Sequence, residues 1–376
     1  MKINDMKTFR HLIIFGIITF FLLPFLEAQD EEQEVRRFSL NEAINFALEN
    51  NTNVENAVLD IESAKREVWK TTAVGLPQAN GTVDYQHIPG ELPTLDFSGP
   101  GGESQVIELG VKNSTTYSVT VSQLVFSGEY IVGLQASRTF LELSRNSLEK
   151  TEFDTKANIK SSYYTILVLE RNKQILDSTL ANINITLKET KALVDQGFLE
   201  ETDYEQIQVT KNTIQNSTQA VKRQIEVSYM LFKIGLGLDV DNEVTLTDNL
   251  NYFLVELDME RLMDEEFELN ENIEYKILDT QERISELNKK KKKSKFLPSL
   301  SAFYMYQDRT NKPDLDVTFN HIIGLNVSVP IFSSGQKLAS VRQAKIELEK
   351  SINNKEQVSE NLIMAVEQAR NDFNTA

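Results

Sequence analysis

The sequence predicts a mixed α and β membrane protein in which long helical hairpins alternate with pairs of amphipathic strands. Three observations predict this class. Long stretches carry apolar residues at heptad-like spacing, and shorter ones alternate apolar with small polar residues. The two patterns then recur in the same order in the second half of the 376-residue chain, as an internal repeat.

The first element is a targeting segment. Lys2, Lys7 and Arg10 precede the apolar run LIIFGIITFFLLPFL (12–26), and a cleavage point follows at Ala28, so residues 1–28 read as a signal peptide. The run is about 15 residues long and holds Pro24, whereas a spanning helix needs about 20, which favours a signal peptide over a membrane anchor; bulky Leu26 beside the cleavage point keeps the anchor as the alternative. No later run comes near that length. An exported chain of this kind can enter a membrane only as part of a β-barrel, because lipid offers no partner for unpaired backbone groups.

The first repeat covers 29–237. Ser39 and Glu42 have capping-box spacing, and Leu40, Ile44 and Leu48 share a face, which predicts a helix over 38–73 that stops before Pro77. Alternation follows, with a strand pair over 78–126. Its second strand, YSVTVSQLVFSG, sets Tyr117, Val119 and Val121 against Ser118, Thr120 and Ser122. Between the strands, 88–114 is a Gly- and Pro-rich surface loop.

About 110 residues of helical pattern come next. Leu176, Leu180, Ile183, Leu187 and Val194 on one side and Ile207, Ile214 and Val221 on the other form a coiled-coil seam. The stretch DQGFLEETDYE (195–205) interrupts it. Gly197 suits the left-handed residue that ends a helix, and Thr202 with Glu205 has the spacing of a capping box that starts the next. The stretch is therefore a hairpin tip. Phe198 and Leu199 sit there beyond any hairpin core, either folded over the turn or offered to a partner.

Residues 238–257 link the repeats, and 258–376 hold the second unit. Leu297-Pro298 opens a strand as Leu76-Pro77 does, 221 residues on (298 − 77), and Phe332-Ser333 with Gly335 answers Phe126-Ser127 with Gly128. The second strand pair spans 298–332, with Ile323, Leu325, Val327, Val329 and Ile331 on one face; Pro330 there demands an edge or a bulge. A displacement of 207 (335 − 128) puts the second hairpin tip near position 404 and the unit's end near 444. By that arithmetic the second repeat is incomplete at Ala376, short of about 68 residues.

Composition narrows the function. With 56 Asp and Glu against 39 Lys and Arg, a net charge of −17 argues against a nucleic-acid partner. The absence of cysteine removes disulfides, thiolate metal sites and a cysteine nucleophile. His11, His87 and His321 have no helix-spaced partner for a metal, and no phosphate-binding glycine loop or acid/base pair stands out, so neither a cofactor nor an enzyme is expected. The run KKKKKSK (289–295) either offsets a helix C-terminus on a solvated face or meets an anionic surface. Tyr85, Tyr117, Phe126, Tyr304, Tyr306 and Phe332 gather near strand ends, as membrane-interface aromatics do and core aromatics also can.

The signal peptide, the opening FSLNEAINFALENN, the paired Leu-Pro strand entries, the paired Phe-Ser strand exits and the tip QGFLEETDYEQIQ together resemble the outer membrane efflux protein family, the TolC-like channels, over about 38–376. The resemblance implies a homotrimer in the outer membrane of a Gram-negative bacterium. Four strands per chain would join a shared twelve-stranded barrel, and the helices a shared periplasmic α-barrel. Such a channel is the passive exit duct of a tripartite efflux or type I secretion system. It implies outer-membrane lipid around the strands, a periplasmic adaptor protein at the tip residues Gly197, Phe198, Leu199, Glu200 and Glu201, and an inner-membrane pump beyond it. Thr202 and Asp203 would stand at the periplasmic entrance, and the lysine run near the inner-leaflet headgroups. The alternative reading is a periplasmic adaptor with one coiled-coil hairpin between small soluble β domains.

Overall fold

A computed structural model describes residues 35–96, 106–250, 266–313 and 316–375. The expected signal peptide (1–28), part of the first strand-connecting loop and the end of the linker at 251–257 lie outside the described residues.

The chain enters through a short strand, β1 (Arg36–Phe38), and a first helix, α1 (Leu40–Asn50). The capping box forms: Ser39 Oγ accepts from the Glu42 N–H at 3.4 Å, and Glu42 Oε2 accepts from the Ser39 N–H at 2.8 Å. Those bonds to ionised carboxylate hold the Glu42 pKa below its ordinary value. The single helix expected over 38–73 is two. Asn51 adopts an extended conformation and caps α2 (Thr52–Ala73) through its side-chain oxygen, which accepts from the Asn53 N–H at 2.8 Å. Its amide meanwhile donates to Gly235 O at 2.7 Å, so one residue both starts a helix and ties it to another.

Beyond Pro77 the chain forms β2 (Gln78–His87), a small hairpin of β3 (Thr94–Asp96) and β4 (Val106–Glu108), and the long β5 (Asn113–Ser127). Helix α3 (Gly128–Asp195) then runs 68 residues, about 100 Å at 1.5 Å per residue, and α4 (Glu201–Leu236) returns beside its distal half. Strand β6 (Val244–Leu246) comes back to pair with β1 in parallel. The second unit follows as α5 (Ile273–Ser294), β7 (Ser299–Arg309), β8 (His321–Ser328) and α6 (Gln336–Thr375). The elements run in the order α2–β2–β5–α3 and then α5–β7–β8–α6.

These units share one sheet and one helical layer. The antiparallel sheet has the order β2-β5-β7-β8, so the two strands of the first repeat lie beside the two of the second with no closure, and among the described residues β2 and β8 are free edges. Below it, α2 packs on α3, α3 on α5, and α5 on α6. Polar bonds cross these seams: Asn146 Nδ2 to Thr280 Oγ1 at 3.2 Å, Arg283 to Glu142 at 3.0 Å, Lys150 to Glu274 at 3.2 Å, and Lys355 to Asp279 at 3.1 Å. Partly exposed ion pairs each contribute about 0–1 kcal/mol, so they set register more than stability.

The compact apolar core lies halfway along α3. Phe38, Leu40, Ala43, Ala47, Ile159, Tyr163, Ile166, Phe232, Leu236 and Val244 close together there. Tyr163 is 0% exposed, and its hydroxyl lies 3.0 Å from both Phe38 O and Asp248 Oδ2. Asp248 Oδ2 also accepts from the Leu40 N–H at 2.8 Å, so one phenol and one carboxylate fasten the start of α1 to the middle of α3. Burial pushes the Tyr163 phenol well above its ordinary pKa and keeps it a donor.

Candidate functional sites: the sheet face and the hairpin tip

Register decides what the sheet can do. Pairs such as Val83↔Tyr117, Val119↔Tyr306, Val121↔Tyr304 and Tyr304↔Ile323 place the apolar residues of all four strands on one face. Thr82, Ser118, Thr120 and Asn326 lie on the other, where Thr82 and Ser118 hydroxyls meet at 2.6 Å. A soluble sandwich would bury the apolar face. Here Ile323 is 83%, Leu325 71% and Val327 60% exposed, and no described element covers them.

A bulge keeps that face continuous. Register shifts between Leu124 and Phe126, so Phe126 pairs with Leu300. Strict alternation from Val121 would turn Phe126 to the polar face; the extra residue, Val125, returns it to the apolar one. The strands measure 10, 15, 11 and 8 residues, close to the roughly 9–11 that a tilted strand needs to cross lipid. β8 is the short one. It ends at Ser328, so Val329, Ile331 and Phe332, which the sequence placed in the strand pair, fall outside the strand and ahead of α6. Pro330 explains the stop, because it cannot donate to a ladder.

The six aromatics do not form one row. Tyr85 and Tyr117 lie toward the loop end of the sheet, and Phe126 toward its helical end. Tyr304 and Tyr306 occupy successive outward positions between them, and the Tyr304 hydroxyl bonds His321 Nδ1 at 2.8 Å. Phe332 is exposed beyond β8.

At the far end of α3 the turn is a Schellman motif. Gly197 has φ +81°, its N–H donates to Val194 O at 2.9 Å, and the Phe198 N–H donates to Leu193 O at 2.9 Å. Helix α4 starts two residues earlier than Thr202 predicts. Glu200 is the N-cap, and Asp203 Oδ2 accepts from its N–H at 3.2 Å. Thr202 instead donates its hydroxyl to Glu200 Oε2 at 3.3 Å, and Glu205 is no part of the cap. An acidic residue three after the cap was present in both spacings, and the carboxylate nearer the turn took the role.

Lys191 locks the tip from the side, 3.2 Å from Asp195 and 3.7 Å from Glu201, with its ammonium over the Tyr204 ring. Asp195 chiefly raises its pKa. Phe198 stays 73% exposed, so it does not fold over the turn. The tip presents an aromatic ring in an acidic collar of Asp195, Glu200, Glu201 and Asp203.

Sequence reading missed the Tyr163–Asp248 junction, whose partners are 85 residues apart. It also left gaps in the hairpin seam. Thr190, Thr218 and Ser228 are buried at heptad positions where apolar residues were sought. Thr218 hides its hydroxyl by donating to Ile214 O at 3.0 Å, which is how a polar residue can serve there.

Among the described residues no helix is long and apolar enough to cross a membrane, and no group of acidic residues and histidines could hold a metal ion. No protein-family profile matches the chain. It is 20% identical over 315 residues to the outer membrane efflux protein BepC of Brucella suis biovar 1, a match covering 82% of this chain; the chain spans 64% of that relative's length. Among solved structures, CusC, described in terms of transmembrane channel formation, superposes with a TM-score of 0.69 at 17% identity over 90% of this chain and 77% of its own. The CmeC outer membrane channel of Campylobacter jejuni gives 0.67 at 18% identity, over 89% and 70%. The fold is that of these outer membrane channels, and the sequence resembles the TolC-like outer membrane efflux proteins.

Proposed function

We propose that this chain is the outer-membrane exit duct of a tripartite efflux or type I secretion system and performs no chemistry itself. Its sheet contributes four strands to a trimeric twelve-stranded barrel, and its helices build a periplasmic tunnel. The observation that carries this reading is the four-stranded sheet with an exposed apolar face and two free edges. Unpaired edges cannot persist in lipid, and pairing β8 of one copy with β2 of the next satisfies both. With an even strand number, that pairing is antiparallel like the rest.

In this reading Phe198 and Leu199 dock a periplasmic adaptor, Thr202 and Asp203 stand at the tunnel entrance, and the adaptor links the duct to an inner-membrane pump that supplies the energy. Tyr85, Tyr117 and Phe126 would contact the two membrane interfaces. A periplasmic adaptor would instead bury its strand faces inside small soluble domains, which the exposed Ile323 and Leu325 argue against. Cell fractionation tests the assignment. An SDS-resistant, heat-modifiable trimer in the outer membrane is the expected result; a soluble periplasmic monomer would contradict it.

A further inference from the structure

Four helix–strand junctions meet at one level. Lys295, just past α5, pairs with Glu129 at the start of α3 at 3.3 Å, and Lys337 at the start of α6 donates to Lys295 O at 2.9 Å. The Tyr130 hydroxyl donates to Thr72 O at the end of α2 at 3.3 Å. This level borders the helical end of the apolar sheet face, and exposed Trp69, Phe296 and Leu297 mark it. The five consecutive lysines 289–293 lie in the last turns of α5, immediately below it.

Their number exceeds any local need. A helix C-terminus carries about half a negative charge, which one or two lysines offset. Lys290 alone pairs within the run, with Glu286 at 3.1 Å. Among the described residues no carboxylate comes within ion-pair distance of Lys289, Lys291, Lys292 or Lys293. Neighbouring like charges, including Lys289 and Lys293 one turn apart, repel each other. At 100° per residue, five successive side chains also circle the helix, so some must face away from the protein wall whichever way α5 is turned.

We propose that lysines 289–293 bind anionic phospholipid headgroups of the leaflet bordering the helical end of the sheet. In a chain of net charge −17, such a collar fixes how deep the sheet sits and counters repulsion between the acidic periplasmic part and the membrane. The inference rests on the barrel reading above.

The test inserts the full chain into phosphatidylcholine vesicles with and without phosphatidylglycerol and follows flotation and protease protection of the strands. Wild type should incorporate about tenfold better with phosphatidylglycerol at low salt, an advantage screened at high salt. The variant Lys289→Gln/Lys291→Gln/Lys292→Gln/Lys293→Gln should insert equally in both, whereas the matching arginine variant should keep the preference. Equal insertion of wild type in the two lipids would overturn the collar while leaving the barrel standing. So would a glutamine variant that keeps the preference, or one whose only change is in the ion selectivity of the pore. Insertion into neither lipid would sink the barrel reading and the collar with it.

Discussion

Gly197 and Gly237 end the two arms of the hairpin with left-handed backbones, at φ +81° and +78°, yet they answer to different constraints. A Cβ at Gly197 would meet nothing within 4 Å, whereas one at Gly237 would clash with the Asn50 carbonyl oxygen, inside the central junction. Gly197→Ala should therefore cost only the backbone strain, about 1–2 kcal/mol. Gly237→Ala should cost about 3 kcal/mol or more, because a backbone clash adds to the same strain. Thermal melts of the two variants compare them, and similar shifts would refute the distinction. Tyr163→Phe leaves Asp248 Oδ2 and Phe38 O without their hydroxyl donor in the core and should lower stability by about 1–3 kcal/mol in denaturant unfolding. Glu42 gives a pH signature. Its folded pKa is lowered, so its stabilisation is fully present above the unfolded value near 4.5 and is lost as pH falls through the folded value. Glu42→Gln should flatten that part of the acid limb of the stability curve. At this scale the sequence was readable where a local pattern has one register, as with Ser39 and Glu42 or Gly197, and misled where two compete, as at Glu200 and Thr202. It was silent on the Tyr163–Asp248 bond and on the tie from Asn51 to Gly235, whose partners lie far along the chain.

The hairpin and the strands turn those residues into surfaces. Lys191, Asp195, Glu201 and Tyr204 hold the tip, so Phe198 contributes little to folding and much exposed ring. Phe198→Ala should leave the melting temperature within about a degree, since surface substitutions stay within about 0.5 kcal/mol, while reducing capture of the cognate adaptor about tenfold or more in a pull-down. Unchanged capture would remove the tip from the docking site. Element types and their duplication followed from periodicity, because the apolar spacing of a coiled-coil seam and of a strand differ so clearly. Boundaries followed less well. The α1–α2 break was masked by continuous helical spacing across Asn51, β8 stopped at Pro330 before its apolar pattern did, and the bulge at Val125 cannot be read without knowing the partner register. Polar Thr190, Thr218 and Ser228 hid part of the seam because composition does not reveal a hydroxyl that bonds its own helix.

For the whole molecule, one asymmetry organises the rest: the described helices scatter their exposed apolar residues among many charged ones, whereas the sheet gathers its apolar residues on one uncovered face. That contrast is what the proposed placement of the sheet in lipid requires, and alternation in the sequence alone could not orient the face. The central claim is that β8 of one copy pairs with β2 of the next. The chain has no cysteine, so disulfide mapping needs no background removal. Single cysteines placed along β2, at Ala79, Gly81 or Val83, and along β8, at Ile323, Leu325 or Val327, would be combined in pairs and oxidised in intact membranes. The account predicts that some pairs, in an antiparallel register, give cross-linked species reaching trimer and no higher. Products that stop at dimer, or no cross-link for any pair across the two edges, would contradict it.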